Sequence, residues 1–173
     1  MKNIWKLIIL TGLMLTVGLG INTINARPAS ANSATTAKSI RGNWYAWDKY
    51  DKTYLVKKIR AHSVVTYNQL AGGYISDYRV YTPHRSGSHK LSIRIYKHAH
   101  RGTNTVYDLN RGYLLPTYKR IGFVWSSQKS LFGHKYHVLK TYITMFDFTV
   151  YFHHKIKHDY SYTHKNYEYF IGR

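Results

Sequence analysis

The chain contains no cysteine. That rules out the disulfide staples of many small secreted domains, a lipid-modified cleavage site, thiolate metal sets and a thiol nucleophile. Acidic residues are scarce as well. Seven Asp and Glu stand against 26 Lys and Arg, for a formal charge of +19. Glycoside hydrolysis normally needs two placed carboxylates. Most of the seven, Asp48, Asp51, Asp77, Asp108, Asp147, Asp159 and Glu168, stand beside Lys, Arg or His, the setting of an ion pair or a charge-balanced turn. G-x-S-x-G, H-E-x-x-H and phosphate-cradling glycine loops are all absent. A basic nuclease using histidine as acid and base is the one catalytic chemistry left open, and no particular pair is singled out. The expectation is therefore a non-enzymatic chain with no cofactor. Almost no segment holds a helical period for three turns.

Long apolar runs are also missing. Leu7 to Ile21 is uncharged but spans only 15 residues, whereas a membrane-spanning helix needs about 20. It follows the basic start MKNIWK and precedes INTINARPASANSATTAKS, which is the layout of a cleaved secretory signal. An uncleaved anchor is the rival. Ala29 and Ala31 supply small side chains for cleavage after Ala31; cleavage after Ala26 would put the less suitable Ile24 three residues before the cut. The expected organisation is a signal peptide at 1–31, a disordered polar leader at 32–39 and one domain at 40–173. Losing Lys2, Lys6 and Arg27 leaves 23 basic residues against 7 acidic ones, a formal +16, and all 11 histidines lie beyond the cut. Acidification would add to that charge.

What is plentiful is Tyr, Val, Ile, Thr and Phe, in short stretches broken by glycine. This pattern predicts an all-β fold, a single small antiparallel sandwich or barrel. HKLSIRIYK at 89–97 reads as a strand with Leu91, Ile93 and Ile95 inward and Lys90, Ser92, Arg94 and Tyr96 outward. Residues 53–60, 62–67, 76–81, 103–109, 121–126 and 166–171 are further strand candidates, with Ile121, Phe123 and Trp125 on one face. SSQKSLFG reads as a loop. From Tyr136 to Phe152 one parity is apolar, which fits one long bent strand or two consecutive ones.

Eighteen tyrosines are too many to bury in a small core with every hydroxyl satisfied. Many stand close to Lys, Arg or His, so some should share the surface with cations. Aromatic faces stack on sugar rings, and Lys and Arg hold phosphate or carboxylate. A cationic exported chain is drawn to polyanions. The expected partners are anionic envelope polymers, with nucleic acid and anionic lipid attracted non-specifically. The expected contact residues are Tyr45, Trp47, Lys49, Tyr50 and Lys52, with Lys90, Arg94 and Tyr96, while Trp44 belongs to the core. His98, His100, His153 and His154 are the expected pH-responsive groups. His98 and His100 have an H-x-H spacing, but a third ligand is not evident and no metal is expected. A membrane-active cationic factor is a further alternative.

IRGNWYAWDKYDKTYLVKKIRAHSV, residues 40–64, resembles the opening of a group of small secreted proteins of lactobacilli and related lactic-acid bacteria, which carry R-G-x-W-Y after the signal peptide. The resemblance covers about 25 residues. It implies secretion and a β-rich domain, and it transfers no catalytic residue. Gly42-Asn43-Trp44 also resembles the G-x-W start of lipocalins, which would imply a carrier barrel for a small apolar ligand, with Trp44 plugging its closed end.

Overall fold

The computed structural model describes residues 35–97, 103–111, 115–116 and 119–173. His98 and His100 lie outside them. The chain is all-β, as its alternation predicts. Its strands are β1 (Gly42–Asp48), β2 (Thr53–Arg60), β3 (Ser63–Gln69), β4 (Ile75–Tyr81), β5 (Arg94–Tyr96), β6 (Val106–Asp108), β7 (Phe123–Leu131), β8 (His134–Tyr142), β9 (Asp147–Phe152) and β10 (Tyr162–Thr163). They form one antiparallel sheet in the order β4-β3-β2-β1-β9-β8-β7-β6-β5, with β10 added beside β9. The sheet curls into a half-barrel. Ile59, Val64 and Tyr81 from one wing share a core cluster with Tyr107, Val124 and Leu139 from the other. The chain between the two edge strands stitches them, since the Leu91 N–H donates to the Thr82 carbonyl at 2.9 Å.

The seam between the wings is thin. β1 and β9 pair only at Tyr45 and Phe152, and β10 occupies the other end of that side of β9 through Tyr162–Phe148 and Thr163–Asp147. Trp44 is fully buried on the inner face, and its indole N–H donates to the Ile40 carbonyl at 2.8 Å. Ile40 ends a 3-10 turn, Lys38–Ile40. The expected leader is not loose over its described part. Thr36 is buried, its N–H donates to the Ala61 carbonyl and its hydroxyl to the Arg60 carbonyl, and Arg41 donates to the Thr36 carbonyl.

The apolar parity from Tyr136 to Phe152 belongs to two strands, not one. β8 and β9 form a hairpin with Val138 opposite Phe152 and Tyr142 opposite Phe148, turning through Met145 and Phe146 at φ 54 and 68. These side chains face outward and are covered by the C-terminal segment. Val138, Val150 and Phe152 pack under Ile156 and Tyr160; Trp125 and Phe148 pack under Tyr167, Phe170 and Ile171. The Trp125 indole donates to the Arg173 carbonyl at 2.8 Å.

Three strand expectations need correction. SSQKSLFG is not a loop: β7 continues through Leu131, and Ser127 pairs with Val138. Its polar residues mark an exposed hairpin end. Ile121 does not share a face with Phe123 and Trp125. Gly122, at φ +92, breaks the alternation, sending Ile121 inward and the two aromatics outward. Residues 166–171 hold a 3-10 turn at Tyr167–Tyr169 rather than a strand. In 89–97 the strand shortens to β5, although Leu91 and Ile93 are buried as the alternation requires.

Candidate polyanion-binding cleft

The outer face of β1 and β2 carries a row of aromatics because alternation turns Trp44 and Ala46 inward and Tyr45 and Trp47 outward. Trp47 lies opposite Tyr54 in the ladder, and their rings meet edge to face at 4.9 Å. Past β9 the chain runs His153-His154-Lys155-Ile156-Lys157-His158. Ile156 is the anchor of this strap, packed on the Val138–Val150–Phe152 cluster. The lysines on either side reach over the aromatic row. Lys155 Nζ stands 5.7 Å from the Tyr45 ring and 5.3 Å from the Tyr54 ring, and Lys157 Nζ stands 5.4 Å from Trp47. Cations at these distances from aromatic centroids are held by the ring quadrupole.

A cleft of about 340 Å³ opens here, lined by Trp47, Lys52, Tyr54, Lys155, Lys157 and the turn Leu70–Gly73. Three lysines and two aromatic rings therefore line one cleft, with no carboxylate in the lining. None of the three lysines forms an ion pair among the described residues. Burial holds the Tyr54 hydroxyl above its usual range, so it remains a hydrogen-bond donor at physiological pH.

Trp47 also borders a second, larger cleft of about 630 Å³ at the seam, where β1 and β9 diverge. Its lining includes Asp48, Asp147 and Asp159, three of the chain's seven acidic residues. Two of them are spent on turns: Asp48 accepts from the Tyr50 and Asp51 N–H groups, and Asp159 from Ser161. Charge is thus uneven about Trp47: three lysines and no carboxylate line one side, three carboxylates and Lys49 the other.

The sequence-derived contact residues divide accordingly. Trp47 and Lys52 line the lysine cleft, and Tyr45 lies beneath Lys155. Lys49 and Tyr50 line the seam cleft among the carboxylates, with Lys49 Nζ 5.0 Å from the Tyr50 ring. Lys90, Arg94 and Tyr96 are not brought to either cleft. Lys90 is exposed before β5, and Arg94 bonds the Tyr96 hydroxyl at 3.4 Å and lies opposite the buried Asp108 in register. His154 is exposed on the strap. His153 faces the inner side, stacked on Trp44 at 3.7 Å. Sequence reasoning missed Tyr54, Lys155 and Lys157. The alternation K-I-K between histidines was the available signal; what it lacked was a partner surface, which sheet pairing supplies.

Comparison with protein-family models, curated proteins and solved structures returns no match.

Proposed function

We propose that this chain is an exported, non-enzymatic cationic domain that associates with anionic envelope polymers, teichoic acid or acidic polysaccharide, through the lysine cleft. The observation that carries the reading is that Lys52, Lys155 and Lys157 line one cleft with Trp47 and Tyr54 and no carboxylate among them. Such a cleft offers charge to phosphate or carboxylate and a flat apolar face to a sugar ring. The chain also carries 11 histidines, so acidification would add to its positive charge. Against a small apolar ligand stand the residues filling the half-barrel, Trp44, Ile59, Leu91, Ile93 and Leu139, and the polar lining of the seam cleft.

The test is retention on purified cell wall, on wall stripped of teichoic acid, on DNA and on anionic vesicles, at pH 7 and pH 5 across a salt series. Intact wall should retain the protein more strongly than stripped wall, more strongly at pH 5, and less as salt rises. A K155A/K157A variant should be released at markedly lower salt. Equal retention of wild type and double variant, or indifference to salt and pH alike, refutes the reading. Vesicle leakage would favour the membrane-active alternative.

A further inference from the structure

The inner faces of β7, β8 and β9 run past the last apolar layer and end in a group of polar side chains above Trp44. Ser126, His137 and His153 are the members. The Ser126 hydroxyl lies 2.6 Å from His137 Nε2; His137 Nδ1 lies 3.4 Å from His153 Nε2; His153 Nδ1 lies 3.2 Å from the Asn43 carbonyl oxygen. His153 stacks on Trp44 with ring centroids 3.7 Å apart, and His137 meets the same indole edge-on at 5.4 Å. Both imidazoles are thereby fixed in orientation while remaining open to solvent.

A carbonyl oxygen can only accept, so His153 Nδ1 carries a proton and its Nε2 presents a lone pair in the neutral ring. His137 Nε2 can donate to the Ser126 oxygen, which leaves Nδ1 as a second lone pair facing the first. With a lone pair on each, these two nitrogens 3.4 Å apart share no proton, and even a hydrogen bond at that distance would be long. They match two corners of a tetrahedron around zinc, where Zn–N bonds of about 2.0–2.1 Å place ligand nitrogens about 3.3–3.4 Å apart. Each ring also has an oxygen partner on its far nitrogen, the arrangement that orients metal-bound histidines.

We propose that His137 Nδ1 and His153 Nε2 form an open two-histidine site for Zn²⁺, with Ser126 and the Asn43 carbonyl orienting the rings and water filling the other positions. Among the described residues no group of three or more His, Cys, Asp or Glu side chains is placed to hold a metal, so the site has two protein ligands and solvent-exchangeable positions. Arg60, the cation tied to this end, is held by the Asn43 side-chain oxygen at 3.0 Å. The same group does not make a hydrolase triad, because His137 Nδ1 faces His153 Nε2 rather than a carboxylate. Gly42 keeps the site open. It has φ +146, and a Cβ there would stand 2.7 Å from His153 Cε1.

The experiment is calorimetric titration of the purified protein with ZnCl₂ at pH 7.5, in an H98A/H100A background so that the H-x-H pair cannot supply the signal. One zinc per chain is expected. H137A and H153F should each weaken binding at least tenfold; H153F keeps a ring on Trp44, so loss there is not loss of fold. G42A should weaken it too, by displacing His153. H134A and H154A should bind as the background does. Imidazole ¹⁵N spectra should shift at His137 and His153 on zinc addition. Zinc binding unchanged in H137A and H153F, or no zinc binding in the background protein, overturns the proposal.

Discussion

Lys57 is the residue whose replacement tests the description of the interior most directly. It sits in β2 facing Trp44 across the ladder, on the inner side of the half-barrel, and is 6% exposed. Its ammonium group has a carbonyl partner, Ile121 O, at 3.5 Å, and the Tyr151 ring at 5.3 Å. No carboxylate forms an ion pair with it among the described residues. Burial lowers its pKa from 10.5 to about 8. At about 1.4 kcal/mol per tenfold change in acidity, holding the charged form in the native state at pH 7 costs about 3 kcal/mol. K57M keeps the length of the chain, removes the charge and leaves one weakly held carbonyl. It should therefore stabilise the protein at pH 7 by about 2–3 kcal/mol, read as a higher urea midpoint. The sign with pH follows from which state binds the proton. Between pH 8 and about 10 the unfolded chain keeps the Lys57 proton and the native state has lost it, so wild-type stability rises with pH. Above pH 10 the trend reverses, because burial raises the Tyr151 hydroxyl and only the unfolded chain releases that proton. K57M should lose most of the rise and keep the fall. Lys140, lowered by burial and by the nearby Lys129 charge, leaves a small rise in both proteins. Urea curves at pH 7, 8.5 and 9.5 decide the matter. A K57M protein less stable than wild type at pH 7, or a flat wild-type profile from 8 to 10, would mean that the buried ammonium is solvated or paired.

W44F removes the indole N–H that serves the Ile40 carbonyl and shrinks a fully buried side chain; thermal unfolding should show a loss of about 2–4 kcal/mol. G122A forces a left-handed φ of +92 on a residue whose Cβ would stand 2.7 Å from the Tyr142 carbonyl oxygen. Its urea midpoint should fall by an amount equivalent to about 2–3 kcal/mol, whereas G73A, at φ +88 but in open space, should lose only about 1 kcal/mol of strain. I156A should loosen the strap without unfolding the sheet. Polymer retention should drop toward that of K155A/K157A, while thermal stability falls by only about 1–2 kcal/mol because the side chain is half-buried.

Alternation along the chain fixed which residues of β1 and of the stretch entering β5 face inward, and it did so locally. Trp44 and Ala46 against Tyr45 and Trp47, or Leu91 and Ile93 against Lys90 and Arg94, follow from a period of two whatever the strands pair with. Alternation failed where backbone geometry broke it. Gly122 reset the parity between Ile121 and Phe123, and the turn at Met145 and Phe146 made a hairpin out of a pattern that one long bent strand fits equally well. It was also silent where polarity masks a strand, as in the outer half of β7. Charge and composition likewise told of a cationic, tyrosine-rich surface but not of its layout.

That layout is tertiary. Lys155 reaches Tyr45 because β9 pairs with β1 at one point and Ile156 is held on the outer cluster. Asn43 and His153, 110 residues apart, meet because the same seam places the start of β1 beside the end of β9. Lys57 reads in the sequence as one more surface lysine of a basic strand, yet it is buried, because the wings curl until the inner face excludes water. A periodic sequence specifies faces; only long-range pairing and curvature decide which faces meet, and thereby which charges lie together, which are buried and which nitrogens confront each other.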